Sequence, residues 1–171
     1  MNLNRRFFWA YLLPKQFIVN CAKLGSFPAK FRMPGTVGSF FGFLFYAIFF
    51  HHLTPFYYIC FLLLCTYLAM GICDAAEFHL MQKDPSIIVL DEFVAVPFIF
   101  IGMNGANGLA SQFGGWPVFL AGFVLFRIID IVKPFGITHI EKLEGGIACV
   151  LDDIVAALLV SIILHLILLQ I

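Results

Sequence analysis

The chain has 171 residues, of which 62% are hydrophobic and 12% charged, with a formal net charge of zero and a mean hydropathy of +1.00. Such a composition excludes an ordinary soluble globular domain and points to an integral membrane protein. The length allows one membrane-embedded domain over 1–171, with no Ser/Pro-rich or charge-run linker to divide it and no separate soluble catalytic domain. No nucleic-acid partner is expected.

In chain order, the start MNLNRRFFWAYLLPKQF is basic but has neither a long apolar stretch nor a small-residue cleavage site, so it does not read as a signal peptide. It predicts an amphipathic segment in the interface, with Trp9 and Tyr11 at headgroup level, inside a basic cytoplasmic N-terminus of residues 1–32. About 20 apolar residues cross a bilayer as a helix, and the candidates are 37–53, 55–73, 88–105, 116–133 and 147–169. The third carries Asp91, Glu92 and Pro97 and runs into the turn-rich NGANG of 104–108, so it is read as short, kinked or partly re-entrant. The expected fold is therefore all-α, a polytopic helical bundle of about five spans. Cys21, Cys60, Cys65, Cys73 and Cys149 show no C-x-x-C spacing and are read as reduced packing residues.

Charge orients these spans. Arg5, Arg6, Lys15, Lys23, Lys30 and Arg32 precede the first span, and residues 1–73 contain no acidic residue, which predicts a cytoplasmic N-terminus. Five crossings then put the C-terminus outside. The loops at 51–55 and 104–115, without Asp, Glu, Lys or Arg, face outward, whereas 74–90 and 133–146, rich in charge, face the cytoplasm. Asp91 and Glu92 fall near the cytoplasmic start of the third span and Asp130 near the cytoplasmic end of the fourth. Asp152 and Asp153 fall about five residues into the fifth, roughly 8 Å deep. Five carboxylates from three helices are thus expected at one depth.

Ionisable groups inside membrane spans are expensive and mark functional sites. Several carboxylates at one depth repel, and a divalent cation removes that repulsion; carboxylate oxygens suit Mg²⁺ or Mn²⁺, and Mg²⁺ takes one or two of them plus water and substrate phosphate. The simpler alternative is acid–base pairing. Arg127, Asp130 and Lys133, at i, i+3 and i+6, share a helix face and form an intrahelical salt bridge in that reading. Pairing accounts for Asp130 but leaves Asp91, Glu92, Asp152 and Asp153, since Lys83 and Lys142 are the only other bases after residue 73.

The stretch MPGTVGSF, 33–40, opens the first span. Pro34 suits a helix start, while Gly35, Thr36, Gly38 and Ser39 supply permissive backbone and hydroxyl donors at a helix N-terminus, where anions bind. Capping and close helix packing explain the same residues in isolation; beside the carboxylates, Arg127 and Lys133, phosphate binding is the better reading. Lys83 is read equally as a phosphate contact or a headgroup anchor. His79, His139 and His165 stand in no triad or zinc spacing and are read as interfacial or packing residues.

Four segments together resemble the bacterial phosphatidylglycerophosphatase A family: MPGTVGSF at 33–40, SIIVLDEF at 86–93, FRIIDIVKP at 126–134 and EGGIACVLDDIVAALL at 144–159. The resemblance implies a Mg²⁺-dependent inner-membrane enzyme that removes the terminal phosphate of phosphatidylglycerophosphate to give phosphatidylglycerol. By position, Asp91, Glu92, Asp130, Asp152 and Asp153 match the family's acidic motif residues, as catalytic groups and metal ligands, with Glu77 a further metal ligand. Gly35, Thr36, Arg127 and Lys133 match its small and basic residues. A metal-bound water or a direct aspartyl nucleophile fits equally.

Two rival readings remain open. A phosphoalcohol transferase, or another lipid phosphate phosphatase, also uses membrane aspartates and metal, but the compact D-G-x-x-A-R pattern of the transferase is missing. A cation or proton transporter would use the carboxylates as a relay, which the charge-free outer halves argue against. The patterns D-x-D-x-T, C-x5-R and G-x-x-x-x-G-K-[ST] are absent as well. Gly102, Gly122 and Ala156 are suited to pack helices within one subunit or between two, so the oligomeric state stays open.

Overall fold

The structure, a computed structural model, describes residues 3–24, 34–83, 85–103, 115–132, 134 and 146–170. Among these every regular element is a helix: α1 (Leu3–Leu12), α2 (Lys15–Ala22), α3 (Pro34–Phe45, prolonged by a π-helical turn, Tyr46–Phe50), α4 (Pro55–Leu80), α5 (Leu90–Ile99), α6 (Trp116–Val132) and α7 (Gly146–Leu168). The all-α expectation holds.

Two helices, α4 and α7, are long and apolar enough to cross a bilayer. The π-helical turn extends α3 only to Phe50, α6 has 17 residues and α5 has 10. Boundaries differ from those expected in two places. The second span does not stop at residue 73 but runs on to Leu80, so Asp74 and Glu77 are helical and not in a loop. Local chemistry explains both ends: Pro55 sits at the first helical position after extended Thr54, and Met81 turns left-handed (φ 53°) to stop the helix. The third span ends at Ile99, a few residues beyond the earliest carboxylates, because Pro97 removes a backbone donor and the chain then bends through Gly102 (φ 79°).

The short α5 is the centre of the molecule. It packs against α3, α4 and α7, while α6 lies on α7 and α3, and α1 and α2 lie on α4. Pro97 cannot donate to the carbonyl of Phe93, and α3 comes up to that carbonyl through Gly42, where an added Cβ would lie 2.7 Å from the Phe93 oxygen. At the other end of α5 the Tyr58 hydroxyl donates to the Pro97 carbonyl at 2.5 Å. The backbone carbonyls that this short, proline-interrupted helix leaves without a helical donor are thus met by neighbouring helices.

Packing relies on small residues, as expected where lipid competes for apolar contact. Trp9 of α1 seats its indole on Gly71 of α4, while Tyr11 stays 80% exposed. Gly122 of α6 faces the Phe100 ring. Gly146, at the start of α7, lies so close to α4 that a Cβ would overlap the Asp74 amide nitrogen and the Met70 carbonyl. Outside, large apolar side chains run along exposed ridges: Leu120, Val124, Ile128 and Ile131 on α6, and Leu158, Ile162 and Leu166 on α7. Such apolar ridges would be an aggregation surface in water and suit a lipid environment.

These contacts predict graded glycine sensitivity. Gly146→Ala must move backbone and is expected to destabilise by about 2 kcal/mol or more, whereas Gly122→Ala meets only side chains, the Phe100 ring at 3.1 Å and Ile99 Cγ2 at 3.3 Å, and costs roughly 1 kcal/mol or less. Thermal unfolding in detergent, followed by helical circular dichroism, checks the order.

Candidate active site

The site is built where the start of α5 meets the starts of α3 and α7 and the end of α6. The first turn of α5 supplies Asp91 and Glu92. Asp91 is buried; its Oδ1 accepts the Glu92 amide at 2.9 Å and its Oδ2 accepts the Cys149 thiol of α7 at 2.9 Å. Cys149 lies one turn before Asp152 and Asp153, so this contact sets the depth of both aspartates against α5. The start of α7 is seated independently by Asp74 of α4, whose Oδ1 accepts the Gly146 amide at 3.1 Å. That amide is one of the first-turn donors without an intrahelical acceptor.

Glu92 points to α3. The absence of a side chain at Gly35 makes room for its carboxylate, which a Cβ there would overlap, with Cδ at 2.7 Å; a Cβ at Gly38 would clash with Val89 at 2.8 Å. The Ser39 hydroxyl, fully buried, has two acceptors in reach, the Gly35 carbonyl and Glu92 Oε2, each at 3.0 Å. Arg127 of α6 completes the group. Its Nη1 lies 2.8 Å from Asp130 Oδ2, 3.1 Å from Glu92 Oε2 and 3.3 Å from Ser39 Oγ. The i, i+3 pair of Arg127 and Asp130 is the one the spacing predicts; the reach to Glu92, 35 residues earlier, is not.

Asp153, buried, feels the charges of Asp91, Asp130, Asp152 and Glu92, so all five carboxylates share one electrostatic neighbourhood. Arg127 pairs with two of them, Glu92 and Asp130. Carboxylates mostly shielded from solvent need compensating cations or hydrogen-bond donors. Among the described residues no three His, Cys, Asp or Glu side chains converge into a ready metal shell. The donor set nonetheless fits a hard divalent cation: it is all carboxylate oxygen, and Mg²⁺ needs only one or two such ligands when water and phosphate fill the rest. Thr36 is half-buried on the first turn of α3, Glu77 half-buried in the last turn of α4 and Lys83 exposed beyond it. Lys133 and His139 lie outside the described residues.

Two contributors escaped the sequence reading. Asp74 falls in a stretch expected to be a loop, and Cys149 reads as packing, yet one seats α7 and the other holds Asp91. Only the G-G step at 145–146 hinted at a close helix approach there.

Comparison with known proteins gives this geometry a family. The phosphatidylglycerophosphatase A family model matches residues 17–168. Phosphatidylglycerophosphatase A of Haemophilus influenzae is 36% identical over 126 residues, covering 73% of this chain and 72% of that protein. The Escherichia coli protein of the same name is 32% identical over 103 residues, 56% of this chain and 55% of its own. A Bacteroides thetaiotaomicron protein with a provisional phosphatidylinositol-3-phosphatase name is 40% identical over 76 residues, 43% of each chain. No solved structure gives a significant match. With the match running through every element that builds the carboxylate site, the chain belongs to the phosphatidylglycerophosphatase A family and is a phosphatase.

Proposed function

We propose that the protein hydrolyses the terminal phosphate of phosphatidylglycerophosphate to give phosphatidylglycerol, with Mg²⁺, at the cytoplasmic face of a bacterial inner membrane. The observation that carries this reading is the buried polar cluster in which Arg127 pairs with Glu92 and Asp130 and Cys149 of α7 holds Asp91, at one end of a bundle whose outer ridges are apolar. The names of the Haemophilus and Escherichia relatives supply the substrate. Beyond Asp153, α7 has no ionisable group until His165, so a relay across the membrane lacks its outer half, and the transporter reading is the weaker one.

In this reading the five carboxylates, with Glu77 at the edge, are the candidate ligands. When bound, Mg²⁺ would neutralise phosphate oxygens and stabilise the charge that develops as the phosphorus–oxygen bond breaks. The chain's own groups do the remaining work. Arg127 and Lys133 supply donors to the phosphate, and the first-turn amides of α3 with Thr36 are further donors. Gly35, Gly38 and Ser39 hold Glu92 against that helix start. One carboxylate accepts the proton of an attacking water, whose oxygen bonds to phosphorus in line with the departing glycerol oxygen, or an aspartate oxygen attacks first and water releases it. Stereochemistry at a chiral phosphorus separates the two routes: one in-line displacement by water inverts it, and two displacements through an aspartyl-phosphate retain it. Acyl chains need no internal pocket, because α6 and α7 present apolar ridges along which the lipid stays in its leaflet.

Five crossings, with the shorter α3, α5 and α6 completing the bundle around α4 and α7, give the topology of the proposal. Alkaline phosphatase, active only outside the cytoplasm, is expected to be active when fused after Ile171 and inactive when inserted after Lys142. Activity of both or the reverse pattern contradicts the orientation.

Substrate and metal are tested together. Purified protein in detergent is expected to release phosphate from phosphatidylglycerophosphate with Mg²⁺, at least roughly 100-fold faster than with EDTA. Turnover of phosphatidate and phosphatidylinositol 3-phosphate is expected to be slower. Undiminished release in EDTA would remove the metal from the account, and preference for another lipid would replace the substrate.

A further inference from the structure

Arg127 stands in two places at once in the reading just given. A phosphate needs its guanidinium donors, yet Nη1 is already committed to Asp130 Oδ2 at 2.8 Å and Glu92 Oε2 at 3.1 Å. A divalent cation held by Glu92 and Asp130 would compete for those same two oxygens. Its Nε is buried and has no hydrogen-bond partner among the described residues, a donor left for some other acceptor. The planar fork of an arginine is suited to exchange between carboxylate and phosphate, since both present paired oxygens.

We infer that Arg127 is an exchangeable internal counter-cation. It holds Glu92 and Asp130 when no metal is present, and a divalent cation taking those carboxylates turns the guanidinium over to the substrate phosphate. The inference rests on the metal-dependent phosphatase reading and adds an order of events to it. A metal-free site has its guanidinium spent on carboxylates and binds phosphate weakly. In a metal-loaded site the guanidinium would be free to donate to the phosphate. Ser39 keeps Glu92 in place through the exchange, because its buried hydroxyl lies 3.0 Å from the same Oε2 that Arg127 leaves. Coupling of this kind is reciprocal, so whatever Arg127 adds to carboxylate binding it subtracts from metal affinity.

The test reads Arg127 directly in the wild-type protein. Purified chain in detergent is treated with phenylglyoxal, which adds to free guanidinium groups, with EDTA or with saturating Mn²⁺, and the Arg127 peptide is quantified by mass spectrometry against the N-terminal arginines. Mn²⁺ is expected to raise the modification rate at Arg127 roughly tenfold, within the usual range of site-to-site coupling. In parallel, Mn²⁺ binding is followed by the electron paramagnetic resonance signal of the free ion. Arg127→Gln and Arg127→Lys are both expected to bind Mn²⁺ roughly tenfold more tightly than wild type. The lysine variant keeps the charge but loses the fork, so tightening in it separates exchange of bonds from simple loss of charge repulsion. Mn²⁺ that binds the wild type without changing Arg127 labelling overturns the exchange and leaves the phosphatase reading standing. A wild type that binds no Mn²⁺ overturns the metal reading and the exchange with it. Should either variant fail to fold, the labelling of the wild type decides.

Discussion

Everything at the functional end of this molecule depends on how negative charge is kept inside an apolar bundle. Asp91, Asp152 and Asp153 are buried, and Glu92 and Asp130 are mostly so. Desolvating several carboxylates together is prohibitive without compensating cations or donors. The fold meets that demand with three devices of different reach. Arg127 balances Glu92 and Asp130; the Cys149 thiol and the Glu92 amide serve Asp91; and Ser39 serves Glu92. Each device serves one or two of the acids.

The devices work only because the helices approach closely. Gly35 and Gly38 let the start of α3 lie on Glu92 and Val89, Gly42 lets it meet the Phe93 carbonyl that Pro97 leaves without a helical donor, and Gly146 seats α7 on α4 beside Asp74. The same substitution-sensitive glycines therefore serve structure and chemistry. A short α5 follows from this arrangement: its first turn carries the acids and its last carbonyls are taken up by Tyr58 and the following turn, so the helix need not cross the bilayer to be satisfied. The family to which the chain belongs acts on a lipid phosphate by name, and a charged niche at the end of an apolar bundle suits such a substrate.

Hydropathy and turn chemistry made the all-helical class legible, and the i, i+3 spacing of Arg127 and Asp130 made their ion pair legible. Helix ends were harder. Residues 74–80 look like a charged loop, but Cys73, Ala75 and Ala76 are buried against neighbouring helices and draw the helix on to Leu80. Span count was obscured for a related reason, since α3, α5 and α6 are apolar yet shorter than a full crossing. The π-helical turn at Tyr46–Phe50, packed among Tyr58, Phe100 and Phe119, left no local signature. Within the site, the acidic residues could be named from their motifs, but their partners could not. Ser39 meets Glu92 across 53 residues, Cys149 meets Asp91 across 58 and Gly146 meets Asp74 across 72. Contacts at such separations are set by helix packing, which single-sequence periodicity does not encode.

The central claim is that the buried carboxylates are the catalytic apparatus and not merely a structural charge network. Phosphate release from phosphatidylglycerophosphate by Asp91→Asn, Asp130→Asn and Asp152→Asn, each with helicity and unfolding temperature matched to wild type, tests it most directly. The account predicts a loss of roughly 100-fold or more in each, since the amide keeps the shape and removes the charge. Folded variants that retain near wild-type release would contradict it and return the carboxylates to a structural role.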